Sequence, residues 1–149
     1  LPLIILTLIF QRRILAGLYR QAHIGLVTPL ADGMNLVAKE YVAAQNVTNP
    51  GVLILSRFAG AADTMQEALV INPHDPWELA EAMAIAMRMG ANERRRRHAA
   101  LLRDVVEHDV GWWSATYLDA LERAAAERGQ AVDVSSTDQQ DQSDPFVQR

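Results

Sequence analysis

Four short apolar runs, separated by more polar helical segments, constrain the fold of this chain more than any other feature of its sequence. They are LPLIILTLIF (1–10), HIGLVT (23–28), VLIL (52–55) and ALVI (68–71). Short continuous apolar runs are typical of strands buried on both faces of a parallel sheet. The first run is too short to cross a bilayer as a helix and no basic segment precedes it, so a strand explains it better than a membrane anchor or signal peptide. We therefore expect no membrane partner.

Helical periodicity fills the spaces between these runs and dominates the C-terminal half. Helices are predicted over residues 12–22, 34–45, 76–89, 92–108 and 111–127. Asp75 and Pro76 form a typical helix start, and Gly129 is predicted to end the last helix. Strands that alternate with helices over short connections indicate an α/β fold, a parallel sheet with helices on both faces, which here ends in helices.

Composition excludes several classes of function. The net charge of -4 over 149 residues gives no broad basic field, so no nucleic-acid partner is expected. The chain has no cysteine, which excludes disulfides and a thiolate metal site and fits a reducing compartment, predicted to be the cytoplasm. Its four histidines lack short ligand spacing, so no metal site is predicted. The polar tail, residues 129–149, is predicted to be disordered, and Leu1 in place of Met indicates a fragment or a processed chain.

The segment TPLADGMNLVAKE (28–40) carries the chemistry. It combines a strand end, a loop that contains Gly33, and a helix predicted to start near Met34. The free N–H groups of the first helical turn and the positive end of the helix dipole form an anion site. Gly33 lets the backbone approach a ligand because it has no side chain. Asp32 either caps the helix or holds the hydroxyl groups of a sugar in front of it.

Glu40 lies about six residues into the predicted helix, roughly 9 Å from its start at about 1.5 Å per residue. A diphosphate at the helix start would place an attached ribose about that far away, and a carboxylate can accept two hydroxyl hydrogen bonds there. Asp32 and Glu40 therefore have the spacing to hold the sugar and the nucleoside ends of one ligand. On spacing alone, a plain N-cap and a solvated helix residue are the simpler interpretation.

The runs TPLADGMNLVAKEYVAAQ and NPGVLILSRFAGAADTMQEALVINPHD closely resemble the corresponding stretches of trehalose-6-phosphate synthases, which are retaining glycosyltransferases of the GT-B type. The resemblance reaches from about Arg12 to about Leu121. It implies that residues 1–128 are the second half of a Rossmann-like C-terminal domain that binds a nucleotide sugar.

Matched residue by residue, the resemblance implies a UDP-glucose site on this segment. Asp32 is the implied catalytic residue and binds hydroxyls of the transferred glucose, while Glu40 holds the ribose. The implied backbone contacts to glucose and to the diphosphate come from Gly33, Met34, Asn35, Leu36 and Val37. The nucleobase is implied to lie against Ile9 and Phe10.

The implied activity is transfer of glucose from UDP-glucose to glucose 6-phosphate with retention at the anomeric carbon, without metal or other cofactor. In the family, an Arg/Lys pair and the acceptor residues lie upstream, so the resemblance implies that this chain needs the N-terminal domain of the same protein and has negligible turnover alone. Two residues depart from the family pattern. Ala31 stands where Arg is usual, and Arg57, expected to be structural, stands where Gln or Glu is more frequent.

Several alternatives stay open from the sequence. The chain could belong to a related synthase that uses ADP or GDP, or another acceptor such as glycerol 3-phosphate, as in glucosylglycerol-phosphate synthases. It could also be a non-catalytic relative that only binds nucleotide sugar. A homo-oligomer is neither required nor excluded. The arginine run 94–97 is interpreted as a solvated face rather than a phosphate patch, and Trp112 and Trp113 as packing residues rather than a sugar-stacking surface.

Overall fold

The computed structural model of the chain describes the backbone of residues 11–137 and the side chains of residues 11–128. The predicted first strand, with Ile9 and Phe10, lies outside the described residues, as do residues 138–149 of the predicted disordered tail. The chain divides into two compact units, the first ending at Glu107 and the second beginning at His108.

The first unit is a three-stranded parallel sheet in the order β1-β2-β3. Its strands are β1 (Ile24–Val27), β2 (Val52–Ser56) and β3 (Leu69–Ile71), with a short 3₁₀ turn (Gly60–Asp63) between the last two. Its helices are α1 (Arg12–Gln21), α2 (Leu36–Ala44), α3 (Pro76–Arg88) and α4 (Ala91–Glu107). The predicted α/β fold with a parallel sheet is confirmed.

Strand β2 is buried along its whole length, and its alternate residues enter two separate cores. Leu53 and Leu55 pack with α2 and α4 through Tyr41 and Leu101. Val52 and Ile54 pack with α3 through residues that include Ala82 and Ala86. Helices therefore cover both faces of the sheet, which explains why the strand sequences read as continuous apolar runs.

Tyr41 locks α2 onto the sheet. Its hydroxyl donates to the carbonyl of Ala22 at 3.1 Å, and its ring lies over Gly25, where a Cβ atom would approach the ring atoms to 2.8 Å. Glycine in β1 is therefore a packing requirement. Because Tyr41 fixes α2 against the sheet, the loop that precedes α2 is held near the carboxyl end of β1.

Within residues 108–137, the described part of the second unit, the chain forms one helix, α5 (Val110–Thr137). The prediction that Gly129 ends this helix is wrong, because the backbone stays helical through residue 137. A glycine ends a helix when it takes the left-handed conformation, and no glycine among the described residues has a positive φ. Trp113 stacks on Tyr117 with ring centroids 5.3 Å apart, and Trp112 contacts the ring of His108. No helix within residues 11–137 is long and apolar enough to cross a membrane.

Candidate functional site

The segment singled out by the sequence lies where parallel sheets bind ligands, beyond the carboxyl ends of their strands. Residues 28–35 connect the end of β1 to α2, and residues 57–59 leave the end of the neighbouring strand β2. The two connections meet in an isolated parallel bridge between Asp32 and Ala59. The topology thus brings two loops together in front of the N-terminus of α2.

The Asp32 carboxylate organises its own loop. One oxygen accepts hydrogen bonds from the backbone N–H groups of Asn35 at 2.9 Å and Met34 at 3.2 Å. The other accepts from the side-chain amide of Asn35 at 3.0 Å. The hydrogen bonds from the Met34 and Asn35 backbones lower the pKa of Asp32 below its usual range, so this exposed group is ionised at neutral pH.

Asn35, not Asp32, is the N-cap of α2. It takes a left-handed backbone conformation, with φ of 58°, and its side-chain oxygen accepts from the backbone N–H of Ala38 at 3.0 Å. Helix α2 consequently begins at Leu36, two residues later than the start predicted at Met34. The signal was present in the sequence, since asparagine is favoured both as an N-cap and in the left-handed region. The sequence, however, contains two candidate N-cap residues, Asp32 and Asn35, three positions apart.

The first turn of α2 faces outward. Leu36 and Val37 are 56% and 45% exposed, while Ala38, Tyr41 and Val42 form the buried face of the helix. Helix geometry leaves the first-turn N–H groups without intrahelical acceptors, so the backbone of this turn can bind an anion. Leu36 and Val37 are thus exposed residues of the first turn, at the positive end of the helix dipole.

Glu40 is four residues beyond Leu36, so both lie on the same side of the helix, about 6 Å apart along its axis. This is shorter than the predicted 9 Å because the helix starts later. Glu40 also lines a cavity of about 290 Å³ between α1 and α2, together with Arg12, Leu15 and Tyr19. Burial, and then the charge of Glu40, raise the pKa of Tyr19. An exposed carboxylate thus lies at the edge of the groove between α1 and α2, one helical turn from the start of α2.

A second, more open cavity of about 400 Å³ is lined by the Asp32 loop, including Asp32 itself, and by the segment that follows β2. Ala31, Gly33, Arg57 and Gly60 are among its lining residues. The Arg57 guanidinium donates to both oxygens of Glu78, at 2.8 and 3.2 Å, and Glu78 also accepts from the backbone N–H of Asn72 at 2.9 Å. Arg57 therefore ties β2 to the start of α3, in agreement with its predicted structural role.

Two of the four arginines on α4, Arg96 and Arg97, belong to an ion-pair network, whereas Arg94 and Arg95 donate to neutral groups. Arg96 donates to Glu93 and to Glu67, at 2.8 and 2.9 Å, and Arg97 donates to Glu93 at 2.8 Å. These hydrogen bonds, first from Arg96 and then from Arg97, lower the pKa of Glu93 to about 2. Among the side chains that the structure describes, no group of three or more His, Cys, Asp or Glu could hold a metal ion.

A parallel sheet with a carboxylate, a glycine turn and a helix N-terminus at its carboxyl edge is the arrangement that many α/β proteins use to bind nucleotides. The model of glycosyltransferase family 20 matches residues 1–123 of the chain. The chain belongs to glycosyltransferase family 20, and the predicted family is confirmed.

Relatives and solved structures agree with this assignment. A trehalose-6-phosphate synthase of an Enterobacter species is 48% identical over 122 residues, which is 82% of this chain and 26% of that protein. One from Sinorhizobium fredii is 54% identical over 110 residues, or 74% of this chain and 24% of that protein. A solved structure from Escherichia coli, described as bound with UDP-2-fluoro glucose, has a TM-score of 0.73 and 49% identity over 78% of this chain and 26% of its own.

A UDP-forming α,α-trehalose-phosphate synthase of Burkholderia xenovorans, solved in complex with glucose 6-phosphate, has a TM-score of 0.71 and 50% identity. The match covers 76% of this chain and 25% of that one. The solved relatives support the GT-B architecture predicted for the parent domain. The chain spans about a quarter of the length of the relatives that it matches.

Proposed function

We propose that this chain forms one wall of the donor site of a UDP-forming α,α-trehalose-phosphate synthase. The reaction transfers glucose from UDP-glucose to glucose 6-phosphate with retention, giving trehalose 6-phosphate and UDP. One observation carries the proposal: the ionised Asp32 carboxylate, the open first turn of α2 and Glu40 lie in that order along one helix N-terminus. The ligands described for the similar solved structures, UDP-2-fluoro glucose and glucose 6-phosphate, support it.

Asp32 would bind the transferred glucose while remaining anchored to its loop. An ionised carboxylate offers about four lone-pair sites, and three are directed to Met34 and Asn35. The remaining acceptor position can take a sugar hydroxyl. Because those three donors fix the carboxylate before substrate arrives, the sugar is oriented by a preorganised group, which is how an anchored side chain contributes to the rate. Backbone groups of Gly33, Met34 and Asn35 complete the sugar contacts.

The N-terminus of α2 would bind the leaving diphosphate. Backbone N–H groups of Leu36 and Val37 and the positive end of the helix dipole oppose the negative charge that develops on the diphosphate as the glycosidic bond breaks. Such preorganised donors stabilise the transition state more than the ground state when they point at the developing charge. No metal ion is needed for this part of the chemistry.

Glu40 would hold the ribose, since its carboxylate lies one helical turn beyond the diphosphate amides and faces the groove between α1 and α2. The nucleobase contacts of Ile9 and Phe10 stay a prediction, and so does the preference for UDP over ADP or GDP. Cytoplasmic location and assembly into a homo-oligomer likewise remain predictions. The acceptor residues are proposed to come from the N-terminal domain of the same protein. The Arg/Lys pair that opposes the diphosphate is proposed to come from the upstream half of the C-terminal domain.

The proposal is tested in a chimera in which the 122 matched residues of this chain replace those of the Enterobacter relative. Asp32→Ala should abolish most turnover with a modest change in UDP affinity measured by calorimetry. Glu40→Ala should weaken UDP binding, and Glu81→Ala, an exposed carboxylate on α3, should change neither.

Equal losses of turnover and UDP affinity in Asp32→Ala would show that Asp32 only shapes the loop. An unchanged UDP affinity in Glu40→Ala would refute the ribose assignment. A chimera that binds UDP-glucose as tightly as the parent and has no turnover would favour the non-catalytic relative considered from the sequence.

A further inference from the structure

We propose that the segment Phe58-Ala59-Gly60 is a positioning element for the donor sugar, with Gly60 as its key residue. The segment leaves the end of β2 and holds the backbone of the Asp32 loop. The inference rests on the proposed function, because it assigns to Gly60 the task of fixing the carboxylate that binds glucose.

Two backbone hydrogen bonds fasten Asp32 from both sides. Its N–H donates to the carbonyl of Phe58 at 3.2 Å, and its carbonyl accepts from the N–H of Gly60 at 2.8 Å. They form the parallel bridge between Asp32 and Ala59, which continues the pairing of β1 with β2 beyond the ends of both strands. The Asp32 side chain therefore projects from a loop backbone whose N–H and carbonyl are both hydrogen-bonded to the segment after β2.

The bridge requires glycine at position 60. A Cβ atom on Gly60 would overlap the carbonyl oxygen of Gly33 and lie 2.8 Å from its carbonyl carbon. Both are backbone atoms, so no side-chain rotation relieves the overlap, and the turn formed by Asp32 and Gly33 must move. By contrast, nothing lies within 4 Å of a Cβ atom built on Gly33 itself or on Gly90.

The positioning segment is itself fixed to the sheet. The buried hydroxyl of Ser56 accepts from the N–H of Phe58 at 3.1 Å, and the Ser56 carbonyl accepts from the N–H of Ala59 at 3.1 Å. The N–H of Arg57 donates to the carbonyl of Ile71 in β3 at 2.9 Å. A continuous series of hydrogen bonds thus leads from the centre of the sheet to Asp32. Displacing one end should displace the other.

Gly60→Ala should therefore lower kcat far more than it lowers nucleotide affinity. A misplacement of about 1 Å at a reacting group can reduce the rate about 100-fold, so we expect a loss of about 10- to 100-fold in kcat. UDP binds at α2 and Glu40, which are held by Tyr41 and the core, so its affinity should change less than about threefold by the same reasoning.

The experiment measures kcat, KM for UDP-glucose, UDP affinity and thermal midpoint for the chimera and its Gly60→Ala and Gly90→Ala variants. Gly90→Ala is the matched control and should behave like the parent. If Gly60→Ala prevents folding, Ser56→Ala tests the positioning role instead. That variant loosens the segment without a backbone overlap and should still fold, with a somewhat lower thermal midpoint because the Phe58 N–H loses its acceptor. It should lower kcat several-fold with UDP affinity retained.

A kcat of Gly60→Ala equal to that of Gly90→Ala would overturn the inference, and so would parallel losses of kcat and UDP affinity. If Gly60→Ala fails to fold, an unchanged kcat in Ser56→Ala would also overturn the inference. Asp32→Ala distinguishes a failure of the positioning role from a failure of the proposed function. If Asp32→Ala abolishes turnover but the position-60 and position-56 variants do not lower it, only the positioning role falls. If Asp32→Ala leaves turnover unchanged, the proposed function falls with it.

Discussion

Replacing Asn35 with alanine would remove two stabilising features of the site loop at once. The side chain caps α2 by accepting from the Ala38 N–H at 3.0 Å, and asparagine tolerates the φ of 58° that this position requires. Loss of an N-cap costs about 1 kcal/mol, and a left-handed conformation costs a residue such as alanine about 1 kcal/mol more. The free energy of unfolding should therefore fall by about 2 kcal/mol.

Glycine at the same position separates the two contributions. Asn35→Gly keeps the left-handed conformation accessible and is accepted as an N-cap, so the expected loss is only a few tenths of a kcal/mol, roughly 0.3. Asn35→Asp keeps the cap acceptor but removes the amide that donates to Asp32 and brings two carboxylates together. Its stability should lie below that of the parent and should recover when the carboxylates are protonated.

Urea unfolding of the purified chain, followed by circular dichroism, measures these differences. A loss of about 2 kcal/mol in a domain of this size corresponds to roughly 10 °C in thermal midpoint. Asn92→Ala is the control, since Asn92 lies exposed in the first turn of α4 and its loss should stay within about 0.5 kcal/mol. If Asn35→Gly is as destabilising as Asn35→Ala, the left-handed conformation contributes nothing and the reasoning is refuted.

Two further predictions concern pH. Burial raises the pKa of Tyr41 to about 12, against about 10 in an unfolded chain, so the stability it contributes is complete below pH 10 and is lost between about pH 10 and 12. Thermal melts across that range should show a shallower fall in Tyr41→Phe than in Tyr117→Phe. Hydrogen bonds from Arg96 and Arg97 lower the pKa of Glu93 to about 2, so its contribution is complete above about pH 4.5 and is lost as the pH falls towards 2. Glu93→Gln should make acid unfolding less steep, and an unchanged slope would contradict the ion-pair assignment.

The sheet and most helices could be predicted because single residues or short runs decide them locally. The run from Val52 to Leu55 is apolar along its length because both faces of its strand are covered. Asp75 was predicted to begin α3, and its carboxylate accepts from the N–H groups of Trp77 and Glu78. Such features depend on neighbours in sequence, so periodicity and capping preferences are sufficient to find them.

The start of α2 could not be predicted in the same way, because contacts distant in sequence determine it. DGMN contains two side chains that can cap a helix, and local preference does not rank them. The bridge to Ala59 fixes the backbone of Asp32, which leaves its carboxylate directed at Met34 and Asn35 and transfers the capping role to Asn35. Gly60 was not singled out from the sequence for a related reason, since its need for glycine comes from the Gly33 carbonyl 27 positions earlier.

The buried face of α2 shows where function departs from hydrophobic patterning. Val37 and Tyr41 lie four residues apart and so share one side of the helix, yet the structure buries Tyr41 with Ala38 and leaves Val37 45% exposed. Tyr41 reaches the Ala22 carbonyl and Ala38 is fully buried. With these two residues facing inward, Leu36 and Val37 face outward. At 56% and 45% exposure, Leu36 and Val37 gain less from burial than the core residues of the helix do. Their position is explained if their backbone amides serve a ligand, because an open first turn is what a diphosphate requires. Local rules and tertiary structure therefore conflict at the residues proposed to bind the donor, as expected where a fold accommodates a functional site.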